Sequence, residues 1–183
     1  NDMAFRGYII SNKIKNYIGI DMNYKKIDLN NYYRKGVFKH FSEDCKCSIS
    51  ITNRIDVTEL YNFSKKTKTK FYVNFLYVLS KALNSREEYR LAWMWKTQEL
   101  VAFDVINPTQ YIFHEDTETF TIAYTEYNED YNTFYKNASF DIEKAKKTRE
   151  YGLDVANHPN WFDASYIPWI SYDCLHLELP DGH

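Results

Sequence analysis

The stretch Tyr111-Ile112-Phe113-His114-Glu115-Asp116-Thr117-Glu118-Thr119-Phe120-Thr121-Ile122-Ala123-Tyr124 reads as two β-strands, Tyr111–Phe113 and Thr119–Tyr124, parted by the polar run His114–Glu118. A hairpin or a bend joins them. Upstream, Leu91–Trp95 and Glu99–Phe103 are β-rich runs separated by Lys96-Thr97-Gln98, which suggests a second hairpin although no Gly supplies the usual turn signal. Downstream, between Tyr127 and Tyr151, the spacing of Tyr131, Phe134, Ala138, Ile142 and Ala145 predicts an amphipathic helix. Glu143 and Lys147 stand four apart on it in the favourable order.

Further out, Phe71–Asn84 is apolar over most of a helical circumference and belongs in the core, and Asp56 or Thr58 is placed to cap a short helix through Glu59 to Lys65. From Cys47 to Val57 the apolar odd positions Cys47, Ile49, Ile51, Ile55 and Val57 predict a half-buried strand, with Asn53 the exception. Ser165 to Leu179 mixes strand formers with Pro168, so a strand with an irregular start is expected there. These elements describe an α/β (α+β) fold, a mixed sheet packed by helices around one core.

The composition narrows the function classes. With 23 Lys and Arg against 25 Asp and Glu the net charge is -2, which argues against a general nucleic-acid binder. Seventeen Tyr, twelve Phe and four Trp, with only five Gly and four Pro, argue against disorder and collagen-like repeats. Phe71–Ser80 is far shorter than a membrane span and Asn1–Asp21 is too punctuated by charge for a secretory signal, so a soluble, cytoplasmic protein is expected. Cys45, Cys47 and Cys174 form neither a CxxC pair nor half of a zinc site and are expected to be buried, reduced thiols.

The five histidines, His40, His114, His158, His176 and His183, lack the spacing of a zinc-binding HxxxH helix, and the scattered glycines make neither a P-loop nor a dinucleotide fingerprint. Glu115-Asp116-Thr117-Glu118 offers either a carboxylate cluster or a solvated loop, and the loop is preferred because burying three acids is costly. Lys65, Lys66, Lys68 and Lys70 are either a phosphate-holding run or the soluble end of a helix. Residue chemistry alone stops at an aromatic-rich globular domain.

Several segments in order carry a resemblance: Met22-Asn-Tyr-Lys-Lys-Ile-Asp28, Tyr33-Arg34-Lys35, Phe71-Tyr72, Phe113-His114-Glu115-Asp116-Thr117-Glu118-Thr119-Phe120, and Ser165-Tyr-Ile-Pro168-Trp169. Together they resemble the chloramphenicol acetyltransferase family. The resemblance implies a two-layer CoA-dependent acyltransferase fold. It also implies a homotrimer in which acetyl-CoA and a chloramphenicol-like acceptor meet in a tunnel at each subunit interface. A histidine of a late HHxxxDG motif is the family's general base, and a serine of the S-x-x-P-W run supports the oxyanion.

Carried over by position, Ser165 matches that serine. Phe41, Cys45, Cys47, Phe120, Ile122 and Leu177 match the antibiotic pocket, Trp169 and Lys70 the coenzyme side, and Arg34 the arginine that pairs with the motif's aspartate. No metal is implied. His183 comes before the segment that carries HHxxxDG in the family, and His176 stands one place too early to replace its base. The expectation is therefore a family domain over 22–183, incomplete at its C-terminus, with impaired acetyl transfer. The alternative is a non-catalytic remnant or a hydrophobic-ligand-binding oligomer. Residues 1–21 are an expected N-terminal extension, whose β-prone Tyr8-Ile9-Ile10 and Tyr17-Ile18-Gly19-Ile20 are suited to pairing with an open sheet edge.

Overall fold

In the computed structural model, described for residues 6–8, 23–45, 51–94, 97–152 and 158–170, the elements run in order. They are β1 (Arg6–Tyr8), β2 (Tyr24–Lys26), α1 (Lys35–Lys39) continued by a π-helical turn (His40–Asp44), α2 (Thr58–Thr67) and α3 (Phe71–Asn84). After these come β3 (Leu91–Met94), β4 (Glu99–Phe103), β5 (Asn107–His114), β6 (Thr119–Tyr124), α4 (Tyr131–Lys147) and β7 (Trp161–Ser165). The strands form two sheets rather than one, ordered β1-β7-β5-β6 and β2-β4-β3.

Both expected hairpins are present: β5 pairs antiparallel with β6, and β3 with β4. Neither turn uses glycine, because Glu118 (φ 52°) and Gln98 (φ 54°) take the left-handed conformation instead. Strand β7 pairs parallel with β5, and the backbone of Arg6–Tyr8 runs antiparallel along the other side of β7, opposite Ser165 to Asp163.

The core lies where α3 and α4 meet the sheets. Val73 and Leu76 of α3, Phe134, Ala138 and Ile142 of α4, Val101 and Phe103 of β4, and Phe162 and Ala164 of β7 pack into one buried cluster. Asp130 caps α4 by accepting from the Thr133 N–H at 2.8 Å. The buried Asn74 joins three helices. Its amide donates to Ser64 and Thr69, both at 2.7 Å, and its carbonyl accepts from the Tyr131 hydroxyl at 2.7 Å. That satisfies a polar side chain which would otherwise be expensive at this depth.

Two of these expectations fail. Residues 51–57 form no strand, and Ile51 (71% exposed) and Ile55 (57%) bury no common face; a period of two marks a possible face but does not supply a pairing partner. Of the strand with an irregular start expected over Ser165 to Leu179, the described part is the irregular start, Tyr166–Ile170 in irregular backbone and a turn around Pro168, which follows a strand not expected from sequence, β7. Glu143 bonds Lys146 and Lys70 rather than the expected Lys147. Residues 46–50 and 171–183, which hold Cys47, Cys174, His176 and Leu177, fall outside the described residues, as do most of 1–21.

Candidate functional site

Strand alternation divides β7 cleanly. Phe162 and Ala164 enter the core beneath α3 and α4, so Trp161, Asp163 and Ser165 face away from the helices. Cross-strand register extends that face, since Tyr111 lies opposite Ile122, Phe113 opposite Phe120, and Thr109 beside Asp163. Ser165, Phe120 and Ile122, three of the residues singled out from sequence, therefore share the helix-free side of one sheet. Trp169 joins them through Phe113, with ring centroids 6.3 Å apart.

The face is strongly aromatic. Tyr111 packs on Phe120 at 5.3 Å and Phe120 on Tyr151 at 5.6 Å. Phe113, Phe120, Tyr151 and Trp169 all remain exposed, an apolar concentration that a single scattered side chain does not produce. Ser165 is half-buried at the end of the strand. Tyr166, directly after it, stacks on Tyr72 at 5.2 Å, and the Tyr72 hydroxyl donates to the Ala164 carbonyl at 3.3 Å. These contacts hold the Ser165 end of β7 against the first turn of α3.

One polar group on this face was missed from sequence. Asp163 is buried, and its carboxylate accepts hydrogen bonds from the Thr109 hydroxyl and the Tyr111 phenol. Burial pushes the Asp163 carboxyl above the usual carboxylate range, while the two donors act the other way. Burial also raises the Tyr111 phenol, with the Asp163 charge adding to it. The only signal in the sequence was an acid at alternation distance from Ser165, which does not separate an inward from an outward acid.

The remaining predicted residues scatter. Arg34 and Phe41 line a separate open cavity of about 310 Å³ on α1, together with Tyr32, Val37, Phe38 and Ser42. The Arg34 guanidinium lies over the Tyr33 ring at 5.0 Å. Cys45 is exposed and not disulfide-bonded, against the expectation of burial, because it follows a short helical turn that buries no residue. Lys70 precedes α3, and its ammonium is held by Glu143 at 2.9 Å. Hydrogen bonds from Lys70 and then Lys146 bring the Glu143 carboxyl down to about 2.

The histidines on the described residues hold structural positions. His114 is buried and bonds the Thr121 hydroxyl at 2.8 Å, and His158 stacks on Tyr124 at 4.2 Å. His40 lies 3.4 Å from Asp44 on an exposed turn. Among the described residues no group of three or more His, Cys, Asp or Glu is placed to hold a metal, and no helix is long and apolar enough to cross a membrane.

Known proteins match this chain along most of its length. The chloramphenicol acetyltransferase family model matches residues 22–182. A chloramphenicol acetyltransferase of Proteus mirabilis is 37% identical over 158 residues, covering 84% of this chain and 69% of the relative. One of Clostridium butyricum is 32% identical over 158 residues, covering 86% and 72%. A solved chloramphenicol acetyltransferase superposes with a TM-score of 0.77 at 22% identity over 85% of this chain and 75% of that one, a likeness of fold. The matched span holds both sheets' hairpins, the core helices and the strand that ends in Ser165, and by that extent of similarity the chain belongs to the chloramphenicol acetyltransferase family.

Proposed function

We propose that this domain transfers the acetyl group of acetyl-CoA to the primary hydroxyl of a chloramphenicol-like acceptor bound on the aromatic face beside Ser165. The observation that carries this reading is the shared face. A half-buried serine at the end of β7 shares one side of the sheet with Phe120, Ile122 and several exposed aromatic rings.

In this reading the acceptor oxygen attacks the thioester carbonyl, and the Ser165 hydroxyl donates to the oxyanion that forms. That interaction is strongest in the transition state and therefore accelerates the reaction. Phe41, Cys45, Cys47, Phe120, Ile122 and Leu177 form the acceptor pocket. Trp169 and Lys70 meet the coenzyme, and Arg34 is structural. Because Phe41 lines a cavity apart from the Ser165 face, a pocket that uses both is completed between subunits, which fits a homotrimer. Lys70 shares its charge with Glu143, so a coenzyme phosphate reaching it competes with that carboxylate.

The sequence contains no His-His pair and hence no HHxxxDG base. Loss of a general base slows a reaction by about 100 to 10,000-fold, so these 183 residues acting alone are slow catalysts in a cytoplasmic setting. The same observation favours a second reading, a binding protein that keeps the aromatic pocket without turnover. A coupled thiol-release assay with acetyl-CoA and chloramphenicol separates the two. Slow chloramphenicol-dependent release supports the enzyme, and its loss in His176→Ala or His183→Ala identifies an unsuspected base. Absence of release with calorimetric binding of chloramphenicol supports the binding protein, and absence of both overturns the site.

A further inference from the structure

We propose that β1 is the positioning strand of Ser165, holding in place the backbone that carries the oxyanion-supporting hydroxyl. This rests on the acyl-transfer reading of the Ser165 face and adds to it a stretch, Arg6–Tyr8, that precedes the family match at 22–182.

The inner pairing of β7 leaves Ser165 out. Its parallel register with β5 runs from Trp161 against Asn107 to Ala164 against Gln110 and stops there. On the outer side, in the order β1-β7-β5-β6, β1 is the strand beside β7 among the described residues. Its register sets Arg6 opposite Ser165, Gly7 opposite Ala164 and Tyr8 opposite Asp163. Among the described residues, Arg6 is therefore the cross-strand partner of Ser165.

Backbone direction sharpens the dependence. The Asn107 N–H donates to the Asn160 carbonyl at 2.8 Å, which turns Asn160 toward β5. Successive strand residues point their N–H and C=O groups to opposite sides, so Phe162 and Ala164 also turn toward β5, while Asp163 and Ser165 turn toward β1. Without β1 those groups line an open edge.

The other supports of this end act on neighbouring residues. The Tyr72 hydroxyl donates to the Ala164 carbonyl, and Tyr166 stacks on Tyr72. Neither contact reaches the backbone groups of Ser165 itself. A displacement of about 1 Å at a reacting group costs about 100-fold in rate, so a serine on an unpaired strand end is a poorer oxyanion donor.

Two variants of the full 183-residue chain test this. Arg6→Pro with Tyr8→Pro removes both ladder N–H groups of β1, and Arg6→Ala with Tyr8→Ala changes the same side chains while keeping them. Amide hydrogen exchange, read by NMR at each residue, is expected to be at least about tenfold faster at Asp163 and Ser165 in the proline variant, with Phe162 and Ala164 as protected as in the parent. The alanine variant is expected to match the parent at all four. In thiol release with acetyl-CoA and chloramphenicol, the proline variant is expected to lose about tenfold or more in kcat with both KM values within about twofold, and the alanine variant to keep the parent rate. Unchanged exchange at Asp163 and Ser165 overturns the proposal, as do equal losses in the two variants. Faster exchange at all four amides marks general loosening and overturns it as well. Lost protection at Asp163 and Ser165 with an unchanged kcat overturns it while leaving the acyl-transfer reading intact. A parent chain without chloramphenicol-dependent release overturns that reading and, with it, the role given to β1.

Discussion

Thr109 Oγ1 donates to Asp163 Oδ1 at 2.5 Å across the parallel pair of β5 and β7, placing a buried carboxylate two residues from Ser165. Burial raises the Asp163 pKa, so the folded chain holds its proton more tightly than the unfolded chain does. The acid form's contribution to stability is then fully present below about pH 4, the unfolded carboxylate range, and is lost as pH rises through the folded value. Asp163→Asn, which still accepts from Thr109, is therefore expected to gain stability over the parent between about pH 4 and pH 7. Denaturant unfolding at several pH values measures this, and a difference that does not change with pH contradicts it.

The buried His114 is expected to be structural. Replacing it with Ala removes the 2.8 Å bond to Thr121 and leaves that hydroxyl with the weaker contact to the Thr148 carbonyl at 3.5 Å. A loss of about 1 to 3 kcal/mol in unfolding free energy follows, with any thiol release unchanged in the folded fraction. Abolished release in a variant folded as well as the parent would make His114 a participant in the chemistry.

Much of this organisation was legible in the sequence because it rests on local pattern. Phe71–Asn84 was bounded correctly since its apolar residues cover most of the circumference, and the two hairpins since strand runs alternate with polar ones. The glycine-free turns at Gln98 and Glu118 did not hide them. The failures were of partnership. Ile51 and Ile55 have strand spacing with no strand beside them among the described residues, and Glu143 takes Lys70, 73 positions away, over the neighbour expected from helix spacing. Ser165, Phe120 and Ile122 came from motif resemblance. Asp163 carried no motif, and its burial is set by β5, more than 50 residues earlier in the chain.

Glu143 shields Lys70, so its removal tests the coenzyme assignment. Glu143→Gln is expected to lower the KM for acetyl-CoA by about two- to fivefold, the range of an exposed ion pair, and more at low salt than at high salt. The same substitution combined with Lys70→Ala is expected to erase the gain. An unchanged KM in Glu143→Gln removes Lys70 from the coenzyme site.

The proposed pocket, shared by the α1 cavity of one copy and the Ser165 face of another, is tested by the oligomeric state. Light scattering is expected to give three times the chain mass of 22.0 kDa. A monomer that still binds chloramphenicol would place the whole pocket within one subunit.

The most direct measurement is chloramphenicol-dependent release of CoA thiol by the 183-residue chain and by its Ser165→Ala variant. The parent is expected to turn over slowly, and the variant to lose about 100- to 1,000-fold, down to the background rate, as when an oxyanion donor is removed. Equal rates in the two proteins would contradict the role given to Ser165.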